Sequence, residues 1–281
     1  MSRRGTDVWM QAVAGGLHEP TDKHVRVELG GEVVADTARA LLVWEPRRIV
    51  PSYAVPDDDL RAELVPAPGG PDDGAAAAPV LHPGIPFAVH SSPGEALTVR
   101  TAGGAEAAGA GFRPAAAELD GYVVLDYFAF DAWYEEDERI VGHPRDPFKR
   151  IDLRRSSRPI RVELDGVVLA ESARPLLLFE TWLPTRSYLP AADVRTDLLR
   201  PSATRSRCAY KGEASYWSYD GPAGVVEDIC WSYRHPLPDV APITDLIAFF
   251  DERADVIVDG DARSRPRTVW SDGVTPEPSR D

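Results

Sequence analysis

A block of 22 residues occurs twice in this chain, and that duplication constrains the fold more than any other feature. Residues 25–46 read VRVELGGEVVADTARALLVWEP and residues 160–181 read IRVELDGVVLAESARPLLLFET, with 12 of the 22 positions identical at a constant offset of 135 residues. Ungapped agreement of this extent points to duplication of a domain, so each half serves as a control for the other. A length of 281 residues suits two domains of about 130 residues, each able to bury its own core. The expected division is an N-terminal segment 1–22, a first repeat domain 23–150, a second repeat domain 151–262 and a disordered polar, proline-punctuated tail 263–281.

Each copy opens as a β-hairpin. Val25, Val27 and Leu29 alternate with Arg26 and Glu28 before Gly30-Gly31, and the second copy turns at Asp165-Gly166. The apolar run 176–179 reads as a buried strand, and residues 189–199 as a turn leading into a short strand or a single helical turn. Residues 214–219 and 225–233 read as a second hairpin around Asp220-Gly221, and 256–258 as a closing strand. Helices are expected over 115–133 and 243–250, and Gly/Ala-rich loops over 69–78 and 103–111. The expected fold class is mainly β with a few short helices, as two similar domains related by a pseudo-twofold axis.

Composition bounds the partners. A net charge of −14 argues against a nucleic-acid partner, which needs a basic face. No run of about 18 apolar residues could span a membrane. Asp7, Gln11 and Gly15-Gly16 break up the first twenty residues, so no secretory leader is expected. Two cysteines, Cys208 and Cys230, make no disulfide framework, which fits a reducing cytoplasm. With the first domain standing in for a second subunit, a monomer or weak homodimer is expected.

The second copy keeps side chains that the first lacks. Aligned on Gly212 and Gly84, Cys208-Ala209-Tyr210-Lys211 stands where the first copy has Val80-Leu81-His82-Pro83. Arg186 aligns with Pro51 and Tyr188 with Tyr53, while Trp231 and Tyr233 fall opposite a Gly/Ala-rich stretch near 109–112. Lysine usage sharpens the contrast: Lys23, Lys149 and Lys211 are the only lysines, against 28 arginines. A lysine can serve as a compact charge, a nucleophile or a proton carrier, which arginine cannot.

The repeats, the segment FETWLPTRSYLP, the stretch RCAYKGEASYW and the segment WSYRHPLP together resemble a bacterial family known as domain of unknown function 427, also labelled nucleotidyltransferase. The resemblance covers roughly residues 25–260. It implies a β-rich fold similar to the β-tent of Mss4-like proteins. Many such proteins hold zinc through paired CxxC motifs, but this chain has none, so no metal or cofactor is expected. The paired acidic metal ligands and glycine-serine phosphate motif of nucleotidyl transfer are not recognisable either, nor is a Gly-rich phosphate loop or a GxSxG elbow.

Two functional readings follow. In the first, the second domain binds a small molecule in a pocket lined by Arg186, Tyr188, Tyr210, Trp217, Trp231 and Tyr233, with Lys211 neutralising an anionic group. In the second, Lys211 or Cys208 attacks an electrophile while Glu180 moves protons, nucleotidyl transfer included. Glu180 recurs as Glu45, so it also has a structural reading, paired with Arg174 as Glu45 would be with Arg39.

Overall fold

The structure, a computed structural model, describes Ser2 and residues 4–68 and 80–273. The loop expected over 69–78 lies outside the described residues, as does the end of the expected tail. The chain divides into two compact units, the first closing at Asp146 and the second starting at Pro147. Each unit is mainly β, built from one seven-stranded and one four-stranded antiparallel sheet.

The large sheets share one strand order. In the first unit it runs Leu17–Pro20, Leu41–Trp44, Ser52–Pro56, Tyr122–Leu125, Glu106–Pro114, Gly94–Arg100, Glu63–Pro66. In the second it runs Ile151–Arg155, Leu176–Glu180, Arg186–Leu189, Ile247–Phe249, Gly224–Ser232, Gly212–Gly221, Leu199–Cys208. The small sheets are built on the repeated hairpins, Val25–Leu29 with Glu32–Thr37 and Ile160–Leu164 with Val167–Ser172. Gly30 and Gly31, like Asp165 and Gly166, all have positive φ, the requirement of a tight turn whose twist matches its strands. A bulge falls at Val27/Glu28 in one hairpin and at Val162/Glu163 in the other.

Period-two alternation then places the core. In the second unit Ile160, Val162, Leu164 and Leu169 from the small sheet pack with Leu189, Cys230, Ile247 and Phe249 from the large one. The opposite, outer face of the large sheet carries a separate cluster that includes Leu176, Leu178, Tyr188, Tyr216, Trp231 and Phe250.

Both expected helices are strands at heart. Within 115–133, Gly121 at φ +76° ends a single turn at Ala117–Leu119, and Tyr122–Leu125 enters the sheet. Within 243–250, Pro242 and Asp245 at φ +58° stop the Pro238–Ile243 turn, and Ile247–Phe249 takes the equivalent central slot. The sheet's unpaired backbone groups outweigh the local apolar run. Residues 103–111 likewise run through a turn into the strand Glu106–Pro114. The segment 189–199 holds two single turns, Ala191–Asp193 and Thr196–Leu198, and the strand Asp255–Val258 closes the small sheet. An α-helix over Gly5–Ala14 was not foreseen. No helix among the described residues is long and apolar enough to cross a membrane.

Candidate functional site

Strand register, not sequence proximity, gathers the site. Leu176, Leu178 and Glu180 alternate onto the outer face of the second unit's large sheet. Leu176 pairs with Tyr188 and Leu178 with Arg186, so those two side chains stand beside them. Tyr188 in turn pairs with Ala248, Ala248 with Trp231, and Trp231 with Tyr216. Trp217 and Cys230 pair one residue along, and both join the inter-sheet core instead. Trp217 therefore does not line the face with Tyr216 and Trp231, because successive residues of a strand point to opposite sides. The Cys230 thiol is pushed up by burial.

At one end of this face Glu180 is buried and held by two lysines. Lys211 Nζ donates to its Oε2 at 2.6 Å, and Lys149 Nζ lies 3.0 Å from its Oε1. Lys211 is delivered by the tight turn between Leu199–Cys208 and Gly212–Gly221, where its own N–H donates to the Cys208 carbonyl at 3.2 Å. Gly212 completes that turn at φ +93°, with the His235 carbonyl 3.3 Å from where a Cβ would sit. Lys149 also lies over the Tyr210 ring, 5.1 Å from its centroid.

These contacts set the charges. Burial pushes the Glu180 carboxyl up, but Lys211 and Lys149 outweigh it and hold its pKa at about 2. Burial pulls the Lys211 ammonium down, and its electrostatic interactions with Cys208, Glu180 and Tyr188 more than reverse that, so its pKa is raised. Lys211 is thus held protonated and Glu180 ionised. The expected pairing of the glutamates with arginines is replaced: Arg174 pairs with Asp193 and Arg39 with Asp59.

Toward the other end Arg186 makes a two-pronged pair with Glu252, at 2.7 and 2.6 Å. Its guanidinium lies over Trp231, Phe250 and Trp270. Arg186 was expected to receive a ligand anion, but Glu252 already fills its fork. Between the two ends Trp231 Nε1 donates to the Tyr188 hydroxyl at 3.1 Å. Burial raises the pKa of Tyr188 and Tyr233 and takes Tyr216 to about 12, so all three hydroxyls stay neutral. Cys208 is half-buried, and no metal-holding group of His, Cys, Asp and Glu occurs among the described residues.

Sequence reasoning missed Lys149, Glu252, Phe250, Thr268 and Trp270. Lys149 carried a signal, being one of three lysines. Thr268 and Trp270 fall in the segment expected as tail. Thr268 Oγ1 donates to Glu252 at 2.6 Å, and Trp270 packs against the outer-face cluster.

A family profile matches residues 17–70 and 152–260, one stretch in each unit. The chain belongs to the DUF427 family. That family is described as a domain of unknown function, and no curated protein matches the chain. The second DUF427 stretch runs through Glu180, Arg186, Tyr188, Lys211 and Trp231 but stops short of Lys149 on one side and Trp270 on the other.

The first DUF427 unit shows what the same face holds without these side chains. Leu41 pairs with Ala54, whereas Leu176 pairs with Tyr188. Tyr188 therefore matches Ala54 and Arg186 matches Ser52, not Tyr53 and Pro51 as the alignment indicated, because the connecting loop is one residue shorter in the second unit. A slip of one residue turns a side chain to the other face, and Tyr53 accordingly enters the inter-sheet core beside Trp133. Continuing across the sheet, Trp231 matches Phe112 and Tyr216 matches Ala96. Carried back along this strand, the register sets Cys208–Lys211 against residues 88–91, rather than 80–83.

Glu45 keeps its place on that face, but its partners differ. It accepts from Ser91 N at 3.2 Å and Ser92 Oγ at 3.0 Å, and it contacts His90 Nδ1 at 3.1 Å and Arg48 Nε at 3.5 Å. Burial raises the Glu45 carboxyl and His90 with Arg48 more than reverses it. His90 stacks on Phe112 at 3.7 Å, where it takes up the space of a larger aromatic.

Proposed function

We propose that the second unit is a small-molecule binding module, with its ligand on the outer face between the Lys149–Glu180–Lys211 cluster and the aromatic side chains Tyr188, Tyr210, Tyr216, Trp231 and Tyr233. The observation that carries this reading is the convergence of two of the chain's three lysines on one buried carboxylate beside those rings. A buried ion pair is a poor source of net stability, since desolvation offsets most of the attraction. The two-lysine cluster lies in the unit that also bears the aromatics, which favours a role in recognition.

The charge states favour binding over catalysis. An ammonium whose pKa is raised is no nucleophile, and a carboxylate with a pKa of about 2 is a feeble base at neutral pH. Binding therefore survives in Lys211→Arg, which keeps the charge, whereas catalysis by a neutral lysine, nucleotidyl transfer included, would lose all turnover. We place the protein in the cytoplasm, where its two free thiols are stable.

The test is thermal unfolding of the wild type and Lys211→Ala against a library of metabolites and nucleotides. The expected result is at least one compound that stabilises the wild type and not the variant. A library that shifts neither protein would contradict the reading.

A further inference from the structure

We propose that the ligand of this site presents an oxyanion, a carboxylate or a phosphate, to the ammonium groups of Lys211 and Lys149. This deepens the binding reading and rests on it. The first ground is a count of donors. An ammonium carries three N–H groups, and Lys211 is 8% exposed, yet Glu180 Oε2 is its sole side-chain acceptor among the described residues. Two donors remain for something that accepts. The Tyr233 side chain is also buried, within electrostatic reach of Cys208 and Glu180.

The second ground is charge. Two ammonium groups on one carboxylate leave one positive charge in excess. Glu252 and Asp251 both turn to Arg186, at 2.6 and 3.8 Å, and neither pairs with Lys211 or Lys149 among the described residues. An unbalanced charge away from water is costly, and a bound anion with free oxygen lone pairs removes both deficits together. In the first unit the matching Glu45 takes two of its hydrogen bonds from neutral donors, Ser91 N and Ser92 Oγ, where Glu180 is held by ammonium groups.

One rival source of the negative charge lies within the chain, at the sulfur of Cys208, which acts electrostatically on Lys211.

Inorganic phosphate and acetate serve as probes, titrated into the full-length protein against chloride at matched ionic strength while thermal unfolding is followed. Phosphate or acetate should stabilise the wild type where chloride does not, and whichever acts names the source of the oxyanion. Lys211→Met should weaken the apparent affinity at least about tenfold, with Lys149→Met as the second variant should the first not fold. A probe effect undiminished in both variants would overturn the proposal, as would a thiolate absorbance at neutral pH that vanishes in Cys208→Ser. If neither anion acts but the library yields a neutral or cationic ligand dependent on Lys211, the oxyanion fails and the binding reading stands. A library without any ligand removes both.

Discussion

The outer faces of the two large sheets share strand order and a buried glutamate, and differ in almost everything around it. Where the second unit sets Tyr188, Tyr216 and Trp231, the first sets Ala54, Ala96 and Phe112. Glu45 accepts from a serine hydroxyl and a backbone N–H beside Arg48 and His90, while among the described residues Glu180 is held by two ammonium groups. The same scaffold position thus takes neutral serine donors in one unit and ammonium donors in the other. What separates them is a handful of side chains and one residue of loop, a reminder that function resides in sites carried by folds.

The comparison breaks first at the glutamate. Glu180→Ala leaves the buried Lys211 ammonium facing the half-buried Lys149 ammonium and should cost about 3–5 kcal/mol of stability in urea unfolding. Lys211→Met should cost far less, about 1 kcal/mol, because Lys149 alone then balances the carboxylate. Equal costs would show that Lys211 is not a surplus cation. Next comes an exchange of residues between the faces. Tyr188→Ala installs the first unit's residue and empties a filled site, for about 3 kcal/mol or more. The reverse change, Ala54→Tyr, overpacks the first face and should cost about 1–3 kcal/mol.

Proton linkage sharpens the contrast within the second unit. The Glu180 pKa lies below its ordinary 4.5, at about 2. Its contribution is complete above pH 4.5 and is lost as pH falls through about 2. Asp251 runs the other way: burial, with Glu252 adding to it against Arg186, lifts it from 3.8 to about 6. Its contribution is present below pH 3.8 and lost as pH rises through about 6. Asp251→Asn should therefore stabilise the protein at pH 7–8 by on the order of 1–2 kcal/mol and make no difference near pH 3.5, read from urea midpoints across that range. The smallest effect is expected at Thr268→Val, which removes the hydrogen bonds its Oγ1 donates to Glu252 and accepts from Trp270 N and should cost about 1 kcal/mol.

Much of the frame was legible in the chain. The hairpins at Gly30-Gly31 and Asp165-Gly166 are announced by alternation and by turn residues suited to positive φ. Lys211 and Trp231 could be singled out because the second copy carries them where the first does not, and Glu180 and Tyr188 because they recur as Glu45 and Tyr53. Register could not be read. Tyr53 and Tyr188 look equivalent in sequence and face opposite sides of their sheets, since a single loop residue decides the face and leaves no mark in composition. Ile247–Phe249 looked helical because a short apolar run has no period of its own. Lys149, Glu252 and Trp270 come from distant stretches that only the folded sheet brings to one face.

Hydrogen exchange of the full-length protein, with and without a ligand from the thermal screen, tests the central claim most directly. The account predicts slowed exchange in the second unit around residues 176–189, 208–216 and 229–233, with the first unit unchanged around 41–55 and 88–98. Protection of the first unit's face around Glu45 and His90, with none around Glu180 and Lys211, would contradict it.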